Sequence, residues 1–169
     1  IDNWSFRVQS STCDKQGRLW IFGGANEEYR KKPRLLMLDG TTWTAPRFNS
    51  DFIPIGDLVP GEREDEVIVA TAQGYYAVKQ DGTHRLTVAR PPYIGSARLW
   101  RSPDGRLVFG GGHGLTIVDG DKVSKLDTQS LKTSLWVKDV AFDRDNRIWI
   151  VSRESVACLD GDKLTSHSL

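Results

Sequence analysis

The sequence predicts an all-β fold assembled from repeated four-stranded sheets, and three observations carry that prediction. Asp-Gly pairs recur behind short apolar runs: Leu35-Leu36-Met37-Leu38 before Asp39-Gly40, and Tyr75-Tyr76-Ala77-Val78 two residues before Asp81-Gly82. Leu115-Thr116-Ile117-Val118 before Asp119-Gly120 and Val156-Ala157-Cys158-Leu159 before Asp160-Gly161 complete the set, and the four glycines step by 42, 38 and 41 residues. A second element recurs upstream of these pairs, a turn feeding a strand of bulky and β-branched residues, and no apolar stripe of helical period and length interrupts the pattern. A single four-stranded sheet has two apolar faces and cannot bury both alone; repeated units of about 40 residues that stack face to face are the signature of a β-propeller blade. The expected architecture is therefore a β-propeller of about four four-stranded blades, with a β-sandwich as the competing fold.

Taken in order, the blades are expected at 7–46, 52–88, 94–126 and 135–169. In the first, Asp14-Lys15-Gln16-Gly17-Arg18-Leu19-Trp20-Ile21 supplies the turn and the strand that follows it. The second is degenerate, with Glu62-Arg63-Glu64-Asp65 where the turn should stand before Val67-Ile68-Val69. In the third the element reads Ser102-Pro103-Asp104-Gly105-Arg106-Leu107-Val108-Phe109, and in the fourth Asp143-Arg144-Asp145-Asn146-Arg147-Ile148-Trp149-Ile150. Gly or Asn sits at the left-handed position of these turns, where the backbone needs φ above zero. The fourth blade's strands are expected at about 137–142, 147–151, 155–159 and 163–166. Asp-Gly between strand-like runs points to type I′ hairpins. Leu19, Trp20, Leu107, Ile148 and Trp149 are the expected filler between blades.

Residues 1–6 resemble 38–43, the end of a third strand, its turn and an outer strand. They read as the outer strand of a preceding or shared blade. One strand in surplus of four self-contained blades favours an arc of a larger ring, since a closed ring shares one blade between its termini and leaves no open edge. A closed four-bladed ring and an eight-bladed ring made by two chains are the alternatives.

Composition narrows the task without naming it. The chain has 169 residues, 23 Lys+Arg against 22 Asp+Glu, and a formal net charge of +1. No strongly electrostatic nucleic-acid binder is expected from that balance, and the basic run 30–34 reads as a solvated loop beside Glu27-Glu28. No apolar run approaches the roughly 20 residues of a membrane helix, so this segment is not expected to insert in a membrane. The chain starts at Ile1, which suggests a processed or excised piece of a larger protein. Cys13 and Cys158 form no Cys-x-x-Cys pair, and His84, His113 and His167 are scattered, so neither a metal site nor a cofactor is implied. The cysteines read as two small buried hydrophobes, or as a disulfide joining the first and last repeats.

The pattern Asp-x-x-Gly-Arg-Leu-Trp-Ile, then Gly-Gly or Gly-Leu, then an apolar strand and Asp-Gly, resembles the two-component regulator propeller repeat. The third copy, with Gly110-Gly111-Gly112-His113-Gly114-Leu115, and the fourth, with Arg147-Ile148-Trp149-Ile150, match best, and the resemblance spans about 7–166. It departs in the second copy and at 26–34. The resemblance implies an extracytoplasmic sensor region of a bacterial hybrid histidine kinase, with more than four blades in the intact ring and a periplasmic or extracellular setting. Streptogramin lyases are propellers of similar repeat style with a catalytic histidine and a magnesium ion, but no second histidine stands at repeat spacing here.

In propellers the loops between blades share one face with the loops between second and third strands, and that face commonly binds ligands. Mapped here, it holds Tyr29, Arg30, Lys31, Arg47, Arg90, Tyr93, His113, Trp136, Lys138 and Arg153. Of these, Tyr29, Arg30, Tyr93, His113, Trp136, Lys138 and Arg153 are the expected ligand-binding set. Aromatic rings beside guanidinium and ammonium groups suit an oligosaccharide or small anionic ligand: a sugar stacks on the ring, and Arg offers a planar fork to carboxylate or sulfate. The glycines around His113 read as a tight strand-to-strand turn, and no helix follows that would make them a phosphate cradle. No Gly-x-Ser-x-Gly elbow is present, and no catalytic set is nominated; His113, titrating near neutrality, is the single proton-transfer candidate. The expected function is a non-catalytic sensor module that binds at this face, its partners being further blades or domains of the parent protein or a second copy of the chain. A lyase or hydrolase using His113 and a protein-docking scaffold are the alternatives.

Overall fold

The computed structural model describes residues 6–25, 34–46, 54–71, 74–89, 98–111, 114–126 and 137–168. All regular structure among them is β. Four antiparallel sheets of four strands follow one another, each in simple up-and-down order. The first holds β1 (Phe6–Cys13), β2 (Leu19–Ala25), β3 (Arg34–Asp39) and β4 (Thr42–Thr44). The second holds β5 (Pro54–Pro60), β6 (Glu66–Thr71), β7 (Gly74–Lys79) and β8 (His84–Ala89). The third comprises β9 (Arg98–Arg101), β10 (Leu107–Gly111), β11 (Gly114–Asp119) and β12 (Lys122–Leu126). The fourth comprises β13 (Asp139–Phe142), β14 (Ile148–Val151), β15 (Ser155–Asp160) and β16 (Lys163–Ser168). No helix is long and apolar enough to cross a membrane among the described residues.

The chain divides into two compact units, residues 1–92 with the first two sheets and 93–169 with the last two. Strand alternation gives each sheet two faces. One face, here called forward, carries Trp20, Phe22, Leu35 and Met37 in the first sheet, paired across the ladder as Trp20–Met37 and Phe22–Leu35. The rear face carries the residues between them, Leu19, Ile21, Leu36 and Leu38. Within the first unit, the forward face of the first sheet forms one buried cluster with Leu58, Val67, Val69 and Val78, rear-face residues of the second. The second unit repeats this arrangement: Val108 and Leu115 of the third sheet cluster with Val140, Ile148, Ile150, Ala157 and Leu159 of the fourth. Each Val, Leu, Ile, Phe or Met side chain among them, fully buried, is worth about 1.5–3 kcal/mol of hydrophobic stabilisation.

The turns between first and second strands follow one plan. The amide of Asp14 donates to the Arg18 carbonyl (3.0 Å) and Gly17 to the Asp14 carbonyl (3.0 Å). Ser102/Arg106 and Asp143/Arg147 repeat the closure at 2.9 and 3.3 Å. The left-handed residue is Gly17, Gly105 or Asn146, the last at φ 59°. This is the three-residue hairpin with a bulge, in which only Gly and Asn are at ease.

The Asp-Gly hairpins depart from the expected type. Asp39 pairs with Thr42, Asp119 with Lys122 and Asp160 with Lys163. The Asp is thus the last strand residue, and Gly with its successor make the turn. Only the glycine has positive φ (56°, 54° and 57°), so these turns are not I′, which needs positive φ at both centres. A glycine first is the II′ arrangement. At Asp81-Gly82 the loop is longer, closed by Lys79 and Thr83 (3.0 Å) and by Asp81 Oδ1 accepting from the Thr83 amide at 2.8 Å. Observed bounds of the fourth sheet shift by one or two residues; Val137 precedes the ladder, although the Lys138 amide already donates to the Val151 carbonyl at 2.8 Å. Cys13 is exposed and Cys158 half-buried, both as free thiols, which corrects the expectation of two buried hydrophobes. Both lie on faces that have no covering sheet within their own unit.

Candidate functional site

Up-and-down order sends the second-to-third strand turns and the free ends of inner and outer strands to the same end of each sheet. Of the expected binding set, Tyr29, Arg30, Tyr93, His113 and Trp136 lie outside the described residues, as do Lys31, Arg47 and Arg90. Lys138 and Arg153 are described, and both are exposed. The structure brings these two to neighbouring strand ends of the fourth sheet. Lys138 leads into β13 with its amide on the Val151 carbonyl, and Arg153 stands two residues beyond Val151 in the β14–β15 turn.

That turn is held by its own hydroxyls. Ser152 Oγ donates to the Ser155 carbonyl (3.1 Å), accepts from the Ser155 amide (3.0 Å) and lies 2.8 Å from Ser155 Oγ. Both serines are buried, so Arg153 and Glu154 project from a closed loop. In the second sheet Thr71 does the same for Gly74, donating to its carbonyl (2.8 Å) and accepting from its amide (3.1 Å). A hydroxyl three residues before the returning strand is a signal that sequence reasoning passed over.

The third sheet adds Arg98 and Trp100 to the same end of its unit. Arg98 donates to the Lys138 carbonyl at 2.9 Å, and the Trp100 indole donates to Asp139 Oδ1 at 3.0 Å, an oxygen that also accepts from the Val140 amide. Gly110 makes this possible. A Cβ there would stand 2.9 Å from both Trp100 Cζ3 and Val137 Cγ1. Gly110 is thus a strand residue whose missing side chain admits an indole, which corrects its reading as part of a tight turn. The result is an end of the second unit that carries Arg98, Lys138 and Arg153, with Asp139 engaged by Trp100.

A separate cleft of about 190 Å³ sits at the other end of the second sheet, lined by Arg63, Glu66, Ala77, Lys79, Thr83, His84 and Arg85. Two of its cations are paired: Lys79 Nζ is 2.9 Å from Asp65, and Arg85 Nη2 is 3.1 Å from Glu66 and 3.6 Å from Glu62. The Lys79 ammonium holds the Asp65 carboxyl below its ordinary value. His84 Nδ1 lies 3.0 Å from the Gly82 carbonyl, and its ring meets Tyr76 edge-on. Among the described residues, no three His, Cys, Asp or Glu side chains converge as metal ligands.

No family model matches this chain, and no curated protein sequence matches it. Solved structures do. A virginiamycin B lyase from Staphylococcus aureus, solved in catalytically inactive form with quinupristin, superposes with a TM-score of 0.71 at 12% identity over 100% of this chain and 58% of that one. YCF48 bound to a D1 peptide gives 0.66 at 20% identity, over 96% of this chain and 52% of that one. The extracellular domain of a hybrid two-component system from B. thetaiotaomicron gives 0.67 at 14% identity, over 96% and 24%. The fold of this chain is that of a β-propeller, shared with extracellular domains of two-component systems as the repeat resemblance implies. It spans about half the length of the lyase and YCF48 chains that it matches.

Proposed function

We propose that the chain is a non-catalytic, ligand-binding propeller module of a larger sensor protein, and that its ligand is an anionic oligosaccharide or small anion. The observation that carries the reading is the exposure of Lys138 and Arg153 on neighbouring strand ends beside Arg98. An Arg fork and a Lys ammonium on a scaffold held by buried Ser152 and Ser155 suit a carboxylate or sulfate, and rigid turns spare the ligand the cost of ordering them. The fold shared with extracellular two-component domains supports the sensor setting, although that likeness extends to fold alone.

Calorimetric titration with uronic-acid and sulfated oligosaccharides, against neutral ones of equal length, tests it. The acidic series is expected to bind and be recovered unchanged. Lys138→Glu and Arg153→Glu should each weaken binding about tenfold or more, the effect of turning attraction into repulsion in a charged contact. Lys163→Glu, at the opposite end of the fourth sheet, should leave binding unaltered. Absence of binding by the acidic series at millimolar concentration would overturn the reading. A lyase reading draws on the virginiamycin B lyase superposition; turnover of quinupristin that His113→Ala abolishes would establish it instead.

A further inference from the structure

The second sheet departs from the other three at positions that meet in one place, the cleft at its turn end. Strand pairing fixes the equivalences, because Val67–Val78 corresponds to Leu19–Leu38, Leu107–Val118 and Ile148–Leu159. The residue that ends the third strand is Asp39, Asp119 or Asp160 in three sheets, and Lys79 in the second. Two residues earlier, Met37, Ile117 and Cys158 stand where the second sheet has Ala77. Their partners on the fourth strand are Thr44, Ser124 and Thr165, where the second sheet has Arg85. The hairpin after Lys79 runs to Thr83 where that after Asp39 runs to Thr42, one residue more, and Thr83 and His84 join the wall of the cleft.

These exchanges change the chemistry of the place in one direction. A methyl at 77 leaves room where a longer side chain stands elsewhere, and cations replace an acid and a hydroxyl at its edge. With Arg63 from the turn before β6, three cations line the cleft against one carboxylate, Glu66. That carboxylate is 2% exposed and already engaged: its Oε1 accepts from the Glu62 and Arg63 amides and from Arg85 Nη2. One cation balances Glu66, and the lining carries two more. Arg85 donates through Nη2 alone; its Nε and Nη1 donate to no described residue. Arg63 is exposed and pairs with no carboxylate among the described residues. The Lys79–Asp65 pair is about one-third exposed on both sides, the kind that solvent screens and a doubly charged ion can displace. Both walls are closed by their own backbone, Gly61 donating to the Glu66 carbonyl at 2.9 Å and Lys79 to the Thr83 carbonyl at 3.0 Å. A frame formed in advance spares a ligand the cost of ordering it.

We propose that this cleft binds a tetrahedral dianion, either free phosphate or the phosphoryl group of a small phosphorylated compound. Its cations come from a turn, a third strand and a fourth strand, and two guanidinium groups with an ammonium between them suit oxygens spread in a tetrahedron better than the flat edge of a carboxylate. A volume of about 190 Å³ is below the roughly 300 Å³ of drug-sized pockets, and it fits such a group with a short attached chain. The site belongs to the first unit and shares no residue with the Lys138 and Arg153 end of the second.

Amide chemical shifts of the 15N-labelled chain, titrated with inorganic phosphate against sodium chloride of equal ionic strength, test the site. Saturable shifts centred on Arg63, Lys79 and Thr83 to Arg85 are expected, with a Kd of about 1 mM, modest as befits a small ion in an open cleft. Arg63→Glu should weaken binding about tenfold or more, since repulsion replaces attraction. Arg63→Lys should keep most of it, and Lys79→Gln should cost about two- to fivefold, the loss of one exposed charge. Lys163→Glu, in the fourth sheet, should change nothing. Sulfate should compete at similar concentration, whereas acetate, flat and singly charged, should need about tenfold more. A sugar phosphate upholds the site either way: tighter binding than phosphate shows that the group arrives on a carrier, weaker binding that the free ion is the ligand. Absence of saturable shifts at about 20 mM phosphate, well above the expected Kd, would overturn the proposal. So would shifts that chloride reproduces, acetate binding as tightly as phosphate, or a Kd indifferent to both Arg63→Glu and Lys79→Gln.

Discussion

At the residue scale, the second sheet solves the turn problem in the reverse direction from its relatives. In the first sheet Asp14 Oδ1 accepts from the Gln16 and Arg18 amides at 3.0 Å, while Oδ2 accepts from Arg18 Nε and Trp20 Nε1 at 2.8 Å. Asp143 repeats all four bonds with Asp145, Arg147 and Trp149. Where Asp14 would stand, the second sheet has Gly61, and where Arg18 would stand it has Glu66. The Glu66 carboxylate reaches back into the turn, accepts from the Glu62 and Arg63 amides at 3.1 Å and pairs with Arg85. A Cβ on Gly61 would fall on Glu66 Cγ and 2.6 Å from its carbonyl oxygen. Glu66→Ala should therefore cost about 1–3 kcal/mol, since two turn amides lose their acceptor, and Glu66→Gln, which keeps an acceptor oxygen, should cost less. Urea unfolding midpoints of the three proteins check this; equal midpoints for Ala and Gln would show that the turn amides do not depend on Glu66. Gly61→Ala should cost about 1–3 kcal/mol through overpacking.

At the scale of the element, the sheets whose turns begin with Asp, Ser or Asp were legible because one local motif carries turn, bulge and strand together. The second sheet was legible only as spacing: its turn was placed at 62–65, but the move of the acid from the first to the last turn position, with Glu66 reaching back to the turn amides, is a contact through space that no run of neighbouring residues shows. Asp-Gly marked the hairpins, while the turn type depended on which residue ended the ladder. Lys138 and Arg153 followed from strand order, whereas Trp100 and Gly110 did not, because an indole crossing above a glycine joins residues ten apart on different strands. Gly110→Ala is expected to lower stability by about 1–3 kcal/mol, the Cβ being forced against Trp100 and Val137. The same change should displace Trp100 from Asp139 and alter tryptophan emission, in contrast with Gly120→Ala, where a Cβ meets nothing within 4 Å and positive φ alone is the strain. Unchanged emission in Gly110→Ala would show that β10 does not need the close approach.

At the scale of the whole molecule, the turn carboxylates make folding stability depend on acid. Burial raises the Asp14 carboxyl, but bonds from Trp20 and Arg18 outweigh it and leave the group below its ordinary 3.8. At Asp143 the Trp149 indole is the main cause, with Arg147 and the Arg147 and Asp145 amides adding to it, and the value falls to about 2. Burial at Asp104 is likewise outweighed by Ser102 and Arg106, and Asp81 is lowered by Thr83. Groups depressed on folding bind protons more readily in the unfolded chain. The stability they contribute is fully present above their unfolded values and is lost as pH falls through the folded ones. Melting temperature should hold from pH 7 to about 5, then fall between about 4 and 2. The full charge of 23 Lys+Arg and three His adds self-repulsion in that range, common to any variant with the same basic residues. Asp14→Asn with Asp143→Asn separates the two effects: the pair should melt lower than the parent at pH 7, change less steeply between pH 4 and 2, and converge with the parent near pH 2. Parallel curves down to pH 2 would show that these two carboxylates carry none of the acid dependence, which would then fall to the remaining depressed carboxylates and to repulsion among the basic residues.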